Sequence, residues 1–184
     1  MKRFVTLTSN VFGVMMLAFA VLVTVDTIAR KLLNFSFQGT DELGGYALAV
    51  GSSLAFTVAL IERAHIRIDL LHTKLPVRVQ AVLNWLSSIM LAGFGAMLVW
   101  VCYTVIVDTI DYHSTAATPW ATPLIYPQAA WYAALVGFGA ASLIMALRAT
   151  RLLFSGRIGE LNRDYHPKGA IEELKEELED LGAR

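Results

Sequence analysis

The sequence is poor in charge and nearly devoid of cysteine. Only 16% of its 184 residues are charged, and 15 basic residues balance 15 acidic ones, so the formal net charge is zero. No global positive field is available to attract nucleic acid. The single cysteine, Cys102, excludes an intrachain disulfide. The sequence also lacks a glycine-rich phosphate loop, a Cys/His metal spacing and a nucleophile-elbow motif, so we expect no enzyme activity.

Four long blocks contain no Asp, Glu, Lys, Arg or His. They are 19 to 27 residues long: Phe4–Val25, Leu43–Ile61, Ala81–Val107 and Leu124–Leu147. A helix rises about 1.5 Å per residue, so each block is long enough to cross a hydrocarbon core about 30 Å thick. The first block exceeds the roughly 7–15 apolar residues of a cleaved signal peptide, so we expect it to be retained. The sequence therefore predicts an all-α integral membrane protein with four transmembrane helices.

The four blocks lack acidic, basic and histidine side chains. Transport pathways, proton relays and haem sites use ionisable or ligating side chains at membrane depth. We therefore expect no catalytic residue, no metal and no cofactor. We infer an accessory protein that works beside a separate protein in which such a pathway or site lies. Two alternatives stay open. One is a small homodimeric carrier that uses Asp26 or Glu42 at the outer edge, and the other is a membrane anchor subunit of a respiratory enzyme.

Basic residues are distributed unequally among the connections. Cytoplasmic connections of membrane proteins carry an excess of Lys and Arg. One side of the predicted spans has only Arg30 and Lys31. The other side has eleven up to residue 168: Lys2, Arg3, Arg63, Arg67, Lys74, Arg78, Arg148, Arg151, Arg157, Arg163 and Lys168. Both termini are therefore predicted to be cytoplasmic.

The connections predict further local structure. The segment Glu62–Pro76 mixes charged and aliphatic residues, which favours a short interfacial helix between spans two and three. Residues 1–150 are predicted to form a four-helix transmembrane domain. Residues 151–184 are predicted to be a charged cytoplasmic tail with a short amphipathic helix, because apolar residues recur there at helical spacing: Ile171, Leu174, Leu178 and Leu181.

The connection between spans one and two is predicted in more detail. Asp26 and Arg30 are four residues apart and are expected to pair near the outer interface. A turn is expected over residues 34–39. Thr40 is then expected to cap the second helix, with the Asp41 and Glu42 carboxylates at its positive end.

Small residues recur every four positions on two of the spans. Helices in lipid associate through close approach along such ridges. We expect one ridge to pack inside the subunit and the other to face a partner. The predicted packing residues are Ala47, Gly51, Ala55 and Ala59 in span two, and Ala129, Ala133, Gly137 and Ala141 in span four.

Short motifs around the first two connections resemble the small, Q-type membrane subunit of tripartite ATP-independent periplasmic (TRAP) transporters. That family has an Arg after span one and a Glu that opens span two, matched here by Arg30 and Glu42. A His-Ile-x-Val-Asp segment follows span two, matched here by His65, Ile66 and Asp69 with Ile68 in place of Val. The resemblance covers roughly residues 4–150.

The resemblance implies the small subunit of a sodium-driven, binding-protein-dependent transporter for an organic acid, such as a C4-dicarboxylate or a sugar acid. Such a subunit braces the large multi-span subunit in the bacterial inner membrane, while a periplasmic binding protein delivers the solute. The solute and sodium sites then lie in the large subunit, and membrane lipids surround both. Arg30, Glu42, His65 and Asp69 are the suspected interface residues, with local capping and solvation as the alternative for Glu42, His65 and Asp69.

Overall fold

The computed structural model describes residues 2–35, 37, 39–62, 75–165 and 178. In these ranges the chain forms five helices: α1 Lys2–Leu33, α2 Thr40–Glu62, α3 Val77–Asp111, α4 Ile125–Phe154 and α5 Ile158–Tyr165. The same ranges contain no β-strand, only an isolated antiparallel bridge between Thr115 and Pro123. The prediction of an all-α protein is confirmed.

Four of these helices contain segments long and apolar enough to cross a membrane: Ser9–Leu33, Thr40–Glu62, Val77–Asp111 and Ile125–Phe154. They correspond in order to the four predicted blocks. The predicted interfacial helix lies mostly within residues 63–74, outside the described residues, and so do His65 and Asp69. The amphipathic helix predicted around residues 171–181 is also outside them, except for Leu178.

The chain divides into two compact units. Unit 1 comprises residues 1–58 and 95–140, and unit 2 comprises residues 59–94 and 141–184. Helix α4 continues without a break through residue 150 and ends at Phe154. The predicted division into a transmembrane domain and a tail at residue 150 stays a prediction.

In unit 1, helices α1 and α2 pack through aromatic rings placed on glycines. The Phe12 ring covers Gly51 and the Phe19 ring covers Gly44, so closely that a Cβ atom on either glycine would overlap the ring. Farther along α2, the Phe56 ring contacts the Phe138 ring of α4, with 6.0 Å between the ring centroids. Because neither glycine has a side chain, the two helices can approach each other closely.

In unit 2, α5 folds back onto the helix that precedes it. Helix α4 ends in a Schellman motif: Gly156 adopts a left-handed φ of 70°, and the Arg157 N–H donates to the Leu152 carbonyl at 3.0 Å. The chain thereby reverses, and α5 contributes Leu161 and Tyr165 to a core with Ala81, Ala149 and Leu152.

Candidate functional site

The carboxylate of Asp26 anchors the end of α1. Asp26 is only 3% exposed. Its Oδ2 accepts a hydrogen bond from Arg30 Nη2 at 2.7 Å, and its Oδ1 accepts one from the Phe37 N–H at 2.6 Å. The predicted Asp26–Arg30 pair is confirmed. The bond to Phe37 was not predicted, and it ties the α1–α2 connection to the helix.

The α1–α2 connection is a tight turn. Asn34 and Gly39 both have positive φ, 51° and 101°, and the Thr40 N–H donates to the Phe37 carbonyl at 3.4 Å, so the predicted turn is confirmed at its described residues. One detail of the prediction is wrong. The Thr40 hydroxyl donates to the Phe37 carbonyl at 2.9 Å, whereas an N-cap hydroxyl accepts from a first-turn amide. The cap position belongs to Gly39, whose carbonyl accepts the N–H of Leu43 at 3.1 Å.

Glu42 joins this turn to the α3–α4 connection. The Glu42 residue is 8% exposed. Its Oε1 accepts a hydrogen bond from the Tyr46 hydroxyl at 2.7 Å, and its Oε2 accepts one from the Thr118 hydroxyl. Thr118 lies 76 residues away in sequence. Glu42 therefore has an intramolecular role, and its predicted contribution to subunit pairing stays a prediction.

A second contact between the two connections is apolar. The Trp120 ring lies over Gly39, so that a Cβ atom on Gly39 would be 2.6 Å from the nearest ring carbon. Gly39 therefore serves both the left-handed backbone and the close approach of Trp120. The α3–α4 connection is itself held in shape by the Ala116 N–H, which donates to the Thr122 carbonyl at 2.9 Å.

We call these residues the loop cluster: Asp26, Arg30, Phe37, Gly39, Thr40, Glu42, Thr118 and Trp120. Phe37, Thr40 and Trp120 of this cluster, together with α1 and α2 side chains, line an apolar cavity of about 330 Å³. The cluster fixes the two connections of unit 1 to each other with hydrogen bonds, an ion pair and a ring contact.

Unit 2 contains a buried polar network that was not predicted from the sequence. The Asn84 Nδ2 donates to Asn162 Oδ1 at 3.1 Å, and the Asn162 Nδ2 donates to the Val77 carbonyl at 3.0 Å. Asn84 is 2% exposed and Asn162 is 9% exposed. The Tyr165 hydroxyl donates to the Met145 carbonyl at 2.6 Å. One signal was available in the sequence: an Asn within an apolar block needs a partner.

The predicted packing residues fall into two groups. In α2, Gly51 is buried, Ala47 and Ala59 are half-buried and Ala55 is exposed. In α4, Ala129, Ala133 and Gly137 are exposed and Ala141 is half-buried. A Cβ atom on Gly137 would meet nothing within 4 Å. Both assignments as packing faces remain predictions.

The described residues form a helical protein in which four helices are long and apolar enough to cross a membrane. Its helix ends are joined by polar contacts, and the described ranges contain no group of three or more His, Cys, Asp or Glu residues able to hold a metal ion. Residues 19–154 match the DctQ component of the tripartite ATP-independent periplasmic transporters. The chain belongs to this family, the small TRAP transporter component.

The match extends from within α1 to the last residue of α4 and leaves out α5. No curated protein and no solved structure matches the chain significantly. Family membership therefore gives the class of transporter component.

Proposed function

We propose that this subunit braces the large transport subunit of a TRAP transporter and takes no direct part in moving the solute. The observation that carries this proposal is the absence of ionisable residues from four apolar blocks in a member of the DctQ family. Solute and ion pathways use such residues at membrane depth. Asp26 and Glu42, the two carboxylates that a self-sufficient carrier was expected to use, are engaged by their own chain. This arrangement weighs against a self-sufficient carrier.

The exposed face of α4 around Ala133 and Gly137 is the proposed contact with the large subunit. Two helices in lipid gain most from packing where small side chains let their backbones approach. The α2 counterpart, Gly51, is already covered by Phe12 of the same chain. Gly137 is open, so the α4 face is available to another protein.

We propose that the binding sites for the solute and the driving ion lie in the partner proteins. We propose that the complete transporter moves an organic acid of the C4-dicarboxylate or sugar-acid type with sodium, and that a periplasmic binding protein delivers it. We further propose that the complex lies in the bacterial inner membrane with both termini of this chain in the cytoplasm. The excess of Lys and Arg on one side of the spans supports that orientation. We propose that this subunit is not an enzyme and binds no cofactor.

Co-purification tests the bracing role. The tagged chain is expressed with the large membrane subunit of a TRAP transporter from the same genome, extracted in a mild detergent and analysed by size-exclusion chromatography. We expect the two proteins to elute together. A chain that elutes alone, as a monomer or a homodimer, contradicts the proposal.

The proposed face has a matched control on α3. Gly137→Phe places a large ring on the α4 face and is expected to abolish recovery of the large subunit. Gly93 is also exposed, with nothing within 4 Å of a Cβ atom, so Gly93→Phe is expected to leave recovery unchanged. Equal recovery with both variants removes the α4 face from the proposal.

A further inference from the structure

Five arginines lie in unit 2 around the end of α4: Arg78, Arg148, Arg151, Arg157 and Arg163. We call them the arginine belt. The side chains of Arg148, Arg157 and Arg163 are 65%, 59% and 80% exposed, and Arg78 and Arg151 are exposed as well. The described part of unit 2 contains three carboxylates, Glu62, Glu160 and Asp164. The belt therefore carries a net positive charge.

The carboxylates of α5 orient part of the belt. Asp164 pairs with Arg148, and its other oxygen lies 3.6 Å from Arg163 Nε. Glu160 Oε1 accepts hydrogen bonds from Arg157 Nε at 2.9 Å and from Arg157 Nη2 at 2.5 Å. A guanidinium group has five N–H donors in a planar fork. A single carboxylate therefore fixes the direction of the Arg157 fork and leaves donors for a further anion.

Helix α5 cannot swing away from α4 easily. Leu161 is fully buried, and Asn162 and Tyr165 hydrogen-bond to α3 and α4. The Trp85 indole N–H donates to the Thr150 hydroxyl at 3.0 Å, which places these positions of α3 and α4 side by side. Arg78 is seven residues before Trp85 and Arg157 seven residues after Thr150. The Asn162 Nδ2 of α5 also donates to the Val77 carbonyl at 3.0 Å, so the start of α3 lies beside the helix that follows α4. Arg78 and Arg157 therefore lie at the same end of unit 2.

An exposed aromatic ring accompanies the belt. Phe154, the last residue of α4, is 81% exposed and lies three residues before Arg157. An apolar ring next to guanidinium groups, at the end of a helix suited to cross a membrane, matches the boundary between acyl chains and headgroups. A soluble anion would contact only the guanidinium groups. A phospholipid would also place its acyl chains against the Phe154 ring.

We propose that the arginine belt binds the phosphate headgroups of anionic phospholipids. The guanidinium fork matches phosphate geometry, and basic residues next to a membrane-spanning helix attract anionic lipid. This property belongs to the chain itself and does not depend on the large subunit. It goes beyond the proposed bracing role, and its test uses this chain alone.

Fluorescence quenching by brominated lipid tests the proposal, because Trp85 lies beside the belt. The full-length chain keeps Trp85 and carries Trp100→Phe, Trp120→Phe and Trp131→Phe. It is reconstituted in bilayers with equal fractions of brominated phosphatidylglycerol or brominated phosphatidylcholine. We expect stronger quenching by the anionic lipid. In the matched control, a chain that keeps only Trp100, which is 68% exposed, we expect equal quenching by both lipids.

Variants at Arg78 and Arg151 test whether these residues cause the preference for anionic lipid. Each basic residue near an anionic surface contributes a preference of roughly fivefold. We therefore expect Arg78→Gln together with Arg151→Gln to lower the anionic preference at Trp85 by at least that factor. Arg78→Lys with Arg151→Lys keeps both positive charges at the same positions and is expected to retain most of the anionic preference. Lys31→Gln, outside the belt, is expected to change nothing.

Three results would overturn the proposal. One is equal quenching of Trp85 by both lipids in the unmodified belt, and another is an anionic preference that persists in the Gln variant. The third is a preference that appears only after Gln replaces the glutamates at Glu172, Glu173, Glu176 and Glu177. That last result would show that the arginine belt binds the chain's own acidic segment instead of lipid.

Discussion

Glu42 shows how a carboxylate is retained at the edge of a membrane-spanning helix. A buried charge is costly unless hydrogen bonds replace the lost water. Here two hydroxyl groups do so, from Tyr46 on the same helix and Thr118 on a distant connection. Hydrogen bonds to a charged group contribute about 1.5–3 kcal/mol each when both partners stay in place. Glu42 therefore stabilises the loop cluster as well as the start of α2.

We predict that Glu42→Ala lowers the free energy of unfolding, because the Thr118 hydroxyl loses its acceptor inside the protein. Asp41 is exposed and adjacent, so Asp41→Ala is the matched control and is expected to cost less than about 1 kcal/mol. Thermal unfolding in detergent, followed by tryptophan fluorescence, measures both. Equal melting temperatures for the two variants would show that the Glu42–Thr118 bond stabilises nothing.

The sequence predicted contacts between residues on one helical turn better than contacts between distant residues. Asp26 and Arg30 could be paired in advance because their four-residue spacing fixes their distance on a helix. The bonds from Asp26 to Phe37 and from Glu42 to Thr118 depend on the path of two connections. No spacing rule gives that path, so both contacts were missed, although both carboxylates had been singled out.

At the scale of helices, hydrophobic length was enough to find four elements. It did not find α5, which has only eight residues and few apolar ones. The signals for α5 were present as Gly156, a helix terminator, followed by Ile158, Leu161, Asn162 and Tyr165 at helical spacing. The polar Asn162 obscured the pattern, because its face is buried only when Asn84 of α3 lies opposite.

We predict that Asn162→Ala destabilises the chain by about 1–3 kcal/mol, since it leaves the Asn84 amide buried without its partner. The double variant with Asn84→Leu removes the unpaired group and is expected to recover part of the loss. Gly159→Ala provides the control on α5, because a Cβ atom there meets nothing within 4 Å. Thermal unfolding is again the measurement, and an Asn162→Ala chain as stable as the unmodified one contradicts the assigned network.

The α1–α2 contact has a similarly matched pair of glycines. Gly51→Ala forces the Phe12 ring to move and is expected to cost about 1–3 kcal/mol. Gly45 lies on the same helix in open space, so Gly45→Ala is expected to be neutral or to stabilise by up to about 1 kcal/mol. Melting temperatures of both variants test this packing. If Gly51→Ala is tolerated as well as Gly45→Ala, then Phe12 does not pack on Gly51 in the membrane.

At the scale of the whole molecule, composition and short motifs together predicted the family that residues 19–154 match. Composition alone indicated a membrane protein with four blocks that lack Asp, Glu, Lys, Arg and His, a description that fits several kinds of subunit. The order of Arg30, Glu42, His65 and Asp69 distinguished among them. The surface that meets the large subunit could not be predicted in the same way. A helix face of small residues has the same sequence pattern whether it contacts lipid or another protein.

Solute uptake by reconstituted vesicles tests most directly whether this chain braces the large subunit or transports the solute itself. Vesicles receive this chain and the large membrane subunit together, or either protein alone, with the periplasmic binding protein, the organic acid and a sodium gradient outside. We predict sodium-dependent uptake when both membrane proteins are present and none with this chain alone. Uptake by this chain without the large subunit would contradict a bracing role and would place the transport pathway in this chain.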